Sequence, residues 1–189
     1  MFVVEGSKTL KENGFDDVKK MVIKMLDSYK ISKTDTHVGF VEFSDTTTVE
    51  ISLDTTYDRN ALKELVRNVV PSGGETTNLD RTLRKVAEVF QLKNGGRPGV
   101  PKVLVIINAK RSSGDEPLTE AVKPLNEEGV QLFVITIGEE NDPDLSKITP
   151  KGNNETVKKP KDLPNETDGL VDKIGTQVDK GKFGSLVSI

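Results

Sequence analysis

Short, continuous apolar runs alternate along this chain with longer stretches in which apolar residues return every three or four positions. Phe2 to Val4, Val103 to Ile107 and Leu132 to Ile137 are runs of the first kind, rich in β-branched residues, and predict strands. The last two show no polar alternation, which predicts central strands covered on both faces. Phe15, Val18, Val22, Leu26 and Tyr29 follow helical steps. So do Leu62, Leu65, Val66 and Val69, and again Leu83, Val86, Val89 and Phe90. His37 to Phe43 and Thr48 to Leu53 predict two strands joined by Ser44-Asp45-Thr46-Thr47, hence an antiparallel hairpin at one edge.

Local punctuation supports the same parse. Asp58 suits a helix cap, Pro71-Ser72-Gly73-Gly74 breaks the chain, and Thr77 or Asn78 can cap the next helix. Gly95-Gly96-Arg97-Pro98-Gly99 stops that helix, and a further one is expected from Pro117 to Glu128, closed by Gly129. Asp142-Pro143 suits another helix start. A weaker edge strand near Thr156 to Lys158 and a last helix from Glu166 to Asp179 complete the chain. Strand and helix in alternation predict an α/β fold: a doubly wound, mainly parallel six-stranded sheet with one antiparallel edge strand and helices on both faces. A single domain is expected over residues 1–182, with 183–189 as a C-terminal tail. Met1 to Val4 reads as a strand already under way, so the natural start is expected to lie further upstream.

Composition narrows the chemistry. The chain has 189 residues, 30% of them charged and 34% hydrophobic, with a formal net charge of −3 and the two signs interspersed. That balance lacks the basic face of a nucleic-acid module. No apolar run approaches the 18 or so residues of a membrane span, so no membrane insertion is expected. With no cysteine and one histidine, His37, thiol catalysis, disulfides and multi-histidine metal sites are excluded.

In a parallel α/β sheet, ligands bind where the carboxyl ends of strands pass into loops. Three such loops stand out: Glu5-Gly6-Ser7-Lys8-Thr9, Gly73-Gly74-Glu75-Thr76-Thr77-Asn78-Leu79 and Asn108-Ala109-Lys110. Together they offer a carboxylate, several hydroxyls and an amide oxygen, the hard-oxygen set that magnesium or calcium accepts. These loops, with Thr36 to Ser44 and Arg97 to Ile106, resemble the von Willebrand factor type A domain over nearly the whole chain. The Arg97-Pro98-Gly99-Val100-Pro101-Lys102 run is most similar to extracellular-matrix members of the collagen VI and matrilin type.

The resemblance implies the Rossmann-like sheet just described, a non-enzymatic adhesion role, and a metal-ion-dependent adhesion site. Its first aspartate falls on Glu5, its serines on Ser7 and Thr9, its threonine on Thr77, and its last aspartate on Asn108. Glu5 is one methylene longer than the family residue, and Asn108 has lost the charge. The implied site is therefore degenerate, with about one formal carboxylate, and any magnesium or calcium is held weakly. The alternative is a hydrogen-bonded cluster that ties the loops together without metal. The resemblance further implies a secreted, extracellular setting within a longer protein, and a protein ligand such as collagen or another matrix component. A structural spacer, a self-assembly unit and an intracellular scaffold are the competing roles.

Three further signals are weaker. Gly6-Ser7-Lys8-Thr9 lacks the glycine before lysine that a phosphate loop needs. His37 has no Gly-x-Ser-x-Gly elbow to serve, and Lys8, Lys110 and Arg111 read as solvated charge near the site rim. Asn154-Glu155-Thr156 and Asn165-Glu166-Thr167 match the N-glycosylation sequon, making Asn154 and Asn165 candidate acceptors.

Overall fold

The computed structural model describes residues 1–138 and 142–180. Six strands form one sheet in the order β3-β2-β1-β4-β5-β6: β1 Phe2–Glu5, β2 Phe40–Phe43, β3 Thr47–Ile51, β4 Lys102–Asn108, β5 Val130–Ile137 and β6 Asn154–Val157. All neighbours are parallel except β2 and β3, the expected hairpin. The chain winds outward from β1 through β2 to β3, then crosses back to β4 and winds the other way. The direction reverses between β1 and β4, where Val4 lies beside Ile107. The next residue on each strand is Glu5 and Asn108, so the two acidic positions of the expected site sit at the switch point of the sheet.

Side-chain alternation divides the apolar residues into two cores. Phe2, Val4, Val105, Ile107, Phe133 and Ile135 face α1 (Lys11–Asp27), α2 (Arg59–Asn68) and α7 (Leu163–Lys180). Val3, Leu104, Ile106, Leu132 and Val134 face α3 (Leu79–Val89), α4 (Leu118–Ala121), α5 (Lys123–Glu127) and α6 (Leu145–Ile148). The period of two that defines a strand thus supplies both layers at once. Phe15 of α1 meets Phe40 of β2 edge-on at 6.4 Å, a geometry worth about 0.5–1.5 kcal/mol beyond area burial.

The structure departs from the sequence expectations in several places, among them the helix start expected at Asp142-Pro143, since α6 begins at Leu145 behind Asp144. The helix expected over Pro117–Glu128 is two short ones, because Pro124 has no N–H to give the preceding turn and begins a new one at α5. The strand expected from His37 begins only at Phe40. His37 sits in the preceding loop, with its ring nitrogens against the Gly95 and Lys33 carbonyls and its ring on Tyr57. Neither Thr77 nor Asn78 caps α3 with its side chain, whereas Asp58 caps α2 by accepting from the Ala61 amide at 2.7 Å. Finally, β6 starts at Asn154 and α7 at Leu163, two and three residues earlier than expected. Residues 183–189 lie outside the described residues, and with them the expected domain boundary.

Candidate functional site

The five expected site residues lie on the loop face above β1 and β4, where Glu5, Ser7 and Thr9 bond one another while Thr77 and Asn108 bond the loop after β4. Glu5 is fully buried. One carboxylate oxygen accepts from the Ser7 hydroxyl at 2.5 Å, and the other from the backbone amides of Ala109 at 2.6 Å and Lys110 at 3.0 Å. Its extra methylene therefore has a use: it carries the carboxylate across to the loop after β4 and ties the two sides of the switch point together. Burial holds the Glu5 carboxyl above the usual carboxylate range, against the opposing pull of Ser7, the two amides and the Lys110 ammonium.

Ser7 is also buried and accepts from the Thr9 amide at 3.2 Å, while Thr9 itself is exposed. Thr77 donates its hydroxyl to the Arg111 carbonyl at 2.8 Å, and its amide donates to Ser113 Oγ at 2.8 Å. Asn78 donates its side-chain amide to the Asp45 carbonyl. Thus both candidate cap residues serve neighbouring loops, which is why they leave α3 uncapped. Asn108, 2% exposed, donates to the Lys110 carbonyl at 3.0 Å, and its Oδ1 is buried without a partner.

The donor set thus offers a divalent ion little. Both oxygens of the one carboxylate are engaged by three donors, the acceptors left over, the Thr77 hydroxyl oxygen and Asn108 Oδ1, are neutral, and two lysines stand at the rim. Lys8 pairs with Glu75, and Lys110 Nζ donates to the Glu75 carbonyl at 2.9 Å. Arg111 lies 4.0 Å from Asp144. Among the described residues no group of three or more histidine, cysteine, aspartate or glutamate side chains could hold a metal. Divalent magnesium and calcium depend on clustered, free anionic oxygens, and this set does not supply them.

A second buried carboxylate lies on the neighbouring strand, and the sequence analysis does not single it out. Glu42 of β2, 1% exposed, accepts from the Ser72 hydroxyl at 2.7 Å and the Ser72 amide at 3.3 Å. Burial also raises its carboxyl above the usual range. Gly6 lies directly over it, so close that a Cβ there would sit 1.8 Å from Glu42 Oε1. The signal in the sequence was an acid inside the apolar run Phe40-Val41-Glu42-Phe43. Two other unexpected acids brace the loop after β4: Asp80 accepts from the Glu116 amide, and Asp142 from the Ser112 and Asp144 amides. The candidate sequon residues are elsewhere. Asn154 is exposed on β6, and Asn165 is exposed in the first turn of α7.

Comparison with known proteins places this geometry. The family model for the von Willebrand factor type A domain matches residues 1–173. Matrilin-1 of Gallus gallus is 27% identical over 148 residues, which is 78% of this chain and 30% of that protein. The collagen alpha-5(VI) chain of Homo sapiens is 30% identical over 161 residues, 83% of this chain and 6% of that protein. The chain therefore spans less than a third of these relatives. Proximal thread matrix protein 1 from the mussel byssus superimposes with a TM-score of 0.84 at 22% identity, over 90% of this chain and 46% of that one. A further structure of that mussel protein is described as having a zinc-occupied metal-ion-dependent adhesion site. With the family model matched over most of its length and the sheet, switch point and site loops in place, the chain belongs to the von Willebrand factor type A domain family.

Proposed function

We propose that this domain is a non-enzymatic adhesion module of the extracellular matrix that binds a protein ligand through its loop face without a bridging cation. The observation that carries the reading is the Glu5 carboxylate, spent on Ser7, Ala109 and Lys110 and so withdrawn from metal ligation. In this reading the degenerate site is a strut. It fixes three loops relative to one another, so a partner meets a preorganised surface and less entropy is lost on ordering it. The partner, collagen or another matrix component, is held by shape and hydrogen bonds on the rim that Lys8, Thr9, Glu75, Lys110 and Arg111 provide.

Support for the matrix setting comes from matrilin-1 and the collagen VI chain among the relatives, and from the two sequons. Support for a non-enzymatic role comes from the lining of two described cavities. One, of about 300 Å³, lies beside Thr9, Leu10 and Ala109 and has Lys158 as its one charged side chain; the other, of about 410 Å³, is mainly apolar. The larger lies at the pole of the sheet away from the site loops, between α1, α7 and the starts of β1 and β4. Its polar side chains form no nucleophile–base pair: His37 is held by two carbonyls, and Asp35 accepts from Ser32 and Lys30. Among the described residues no helix is long and apolar enough to cross a membrane.

The test is calorimetric titration of the domain with magnesium, calcium and manganese, beside matrix-binding assays with and without chelator. Wild type is expected to give no heat of binding, and Asn108→Asp, which restores the second carboxylate, to give a weak signal. Binding to immobilised matrix proteins is expected to survive chelation and to fall with Lys110→Glu and Arg111→Glu. A wild-type cation signal abolished by Thr77→Ala would instead make cation-dependent adhesion the mechanism.

A further inference from the structure

Thr167 is the polar residue on an otherwise aliphatic inward stripe of α7. The inward stripe of α7 runs Leu163, Thr167, Leu170, Ile174, at helical steps of four, three and four, and all four residues are buried. Three are aliphatic and belong to the core against α1 and the sheet. Thr167 has no exposed surface, and its hydroxyl has no hydrogen-bond partner. A helical threonine ordinarily returns its hydroxyl to a carbonyl one turn back, and this one does not. A buried hydroxyl without a partner costs folding free energy that valine, of nearly the same shape, would not.

Two residues earlier Asn165 is exposed, as is Glu166 between them, so that Asn165-Glu166-Thr167 is a complete sequon with its acceptor side chain in solvent. We propose that Asn165 is an N-glycan acceptor, and that the Thr167 hydroxyl is read by the glycosyltransferase on the unfolded chain, before α7 docks. In that step the Asn165 amide nitrogen bonds to the anomeric carbon of a lipid-pyrophosphate-linked oligosaccharide. The bond from that carbon to the phosphate oxygen breaks, the lipid pyrophosphate leaves, and the amide gives up one proton to the transferase. Folding then buries Thr167 and leaves the sugar projecting from the first turn of α7. Asn154 on β6 is exposed too, but Thr156 is also exposed and costs nothing, so the orphan-hydroxyl argument singles out Asn165. The proposal rests on the extracellular reading above, since only a chain in the secretory pathway meets the transferase.

The whole chain, given a secretion signal and expressed in animal cells, is digested and its Asn165 peptide weighed before and after endoglycosidase, in cell-retained and secreted material alike. Wild type and Thr167→Ser are expected to carry a glycosidase-sensitive mass at Asn165, while Thr167→Val and Asn165→Gln lack it. In unglycosylated protein from bacteria, Thr167→Val is expected to melt higher than wild type, because it removes an unsatisfied hydroxyl and leaves the shape intact. An unmodified Asn165 in wild type overturns the proposal, as does a Thr167→Val domain that melts lower, which would give the hydroxyl a structural job. A chain that carries the glycan yet shows cation-dependent matrix binding, or none, would overturn the functional reading and leave this site standing.

Discussion

Removing the Glu5 carboxylate tests the strut directly. Glu5→Ala strands the Ala109 amide, which is buried, and the Lys110 amide, which is partly so, and leaves the Ser7 hydroxyl to find another acceptor. Each buried donor left unpaired costs about 1–3 kcal/mol. Against that stands relief from burying a charge, which the raised carboxyl of Glu5 reports. The net expectation is a loss of about 2–4 kcal/mol, and for a domain of this size each kcal/mol lowers the melting temperature by roughly 2–4 °C. Glu5→Gln keeps the length and one acceptor oxygen for the two amides, so it should cost under about 1 kcal/mol. Glu5→Asp installs the family residue but falls a methylene short of Ala109 and Lys110, and should cost about 1–3 kcal/mol. Thermal and urea unfolding followed by circular dichroism give all three values. The reasoning fails if Ala, Asp and Gln variants unfold together near wild type, because the three bonds to Glu5 would then carry no weight.

Two further expectations concern the neighbouring carboxylate and the response to acid. Gly6→Ala would drive a methyl to within 1.8 Å of Glu42 Oε1, so it should destabilise by about 1–3 kcal/mol, and Glu42→Ala in the same chain should recover part of the loss in a thermal melt. Both Glu5 and Glu42 are raised by burial, so between the ordinary carboxylate pKa and their folded values the native state holds protons that the unfolded chain has released. Their contribution is complete below the ordinary value and is lost as pH rises through the raised ones. Exposed Asp27 and Asp45 and half-buried Glu116 and Asp144 are held low by their partners and act in the opposite sense. The measurement is therefore the urea-midpoint difference between wild type and Glu5→Gln. It should shift in favour of wild type as the pH is lowered from neutral into that window, and a shift the other way would count against the assignment.

The fold was legible because its strongest signals are periodic and long-range packing agrees with them. Val103 to Ile107 is wholly apolar, and Leu132 to Ile137 is so apart from Thr136, because helices cover both faces of β4 and β5, and the helical stripes of α1, α2 and α3 reappear, apart from exposed Leu65 and half-buried Tyr29, as buried residues of the two cores. The helix break at Pro124 is present in the sequence too, but the apolar pattern runs on across it and masks it. The site was half legible. Residue types and loop positions identified Glu5, Ser7, Thr77 and Asn108, but where each hydrogen bond goes depends on distances between loops far apart in sequence. Thr77 and Asn78 look like caps because local competition favours caps. They bond to Arg111 and Asp45 instead, because the third dimension offers those carbonyls. Glu42 was missed for the converse reason: an acid in a short apolar strand signals nothing until Gly6 and Ser72 are seen closing over it.

The allocation of helices to the two faces fixes an order of assembly. The face under α3 to α6 is covered by elements that lie between β3 and β6 in the chain, so its layer can form as those residues leave the ribosome. The opposite face needs α1 and α2 from the beginning and α7 from the end. Until Leu163, Leu170 and Ile174 arrive, part of the apolar surface of β4 and β5, with Val105, Phe133, Ile135 and Ile137, is open to solvent or to another chain. Non-local closure of this kind is slow and leaves apolar surface open to aggregation in the interval. The last helix is thus the step at which a nascent domain either seals or sticks, and a bulky polar group attached to its first turn would guard the chain during that wait.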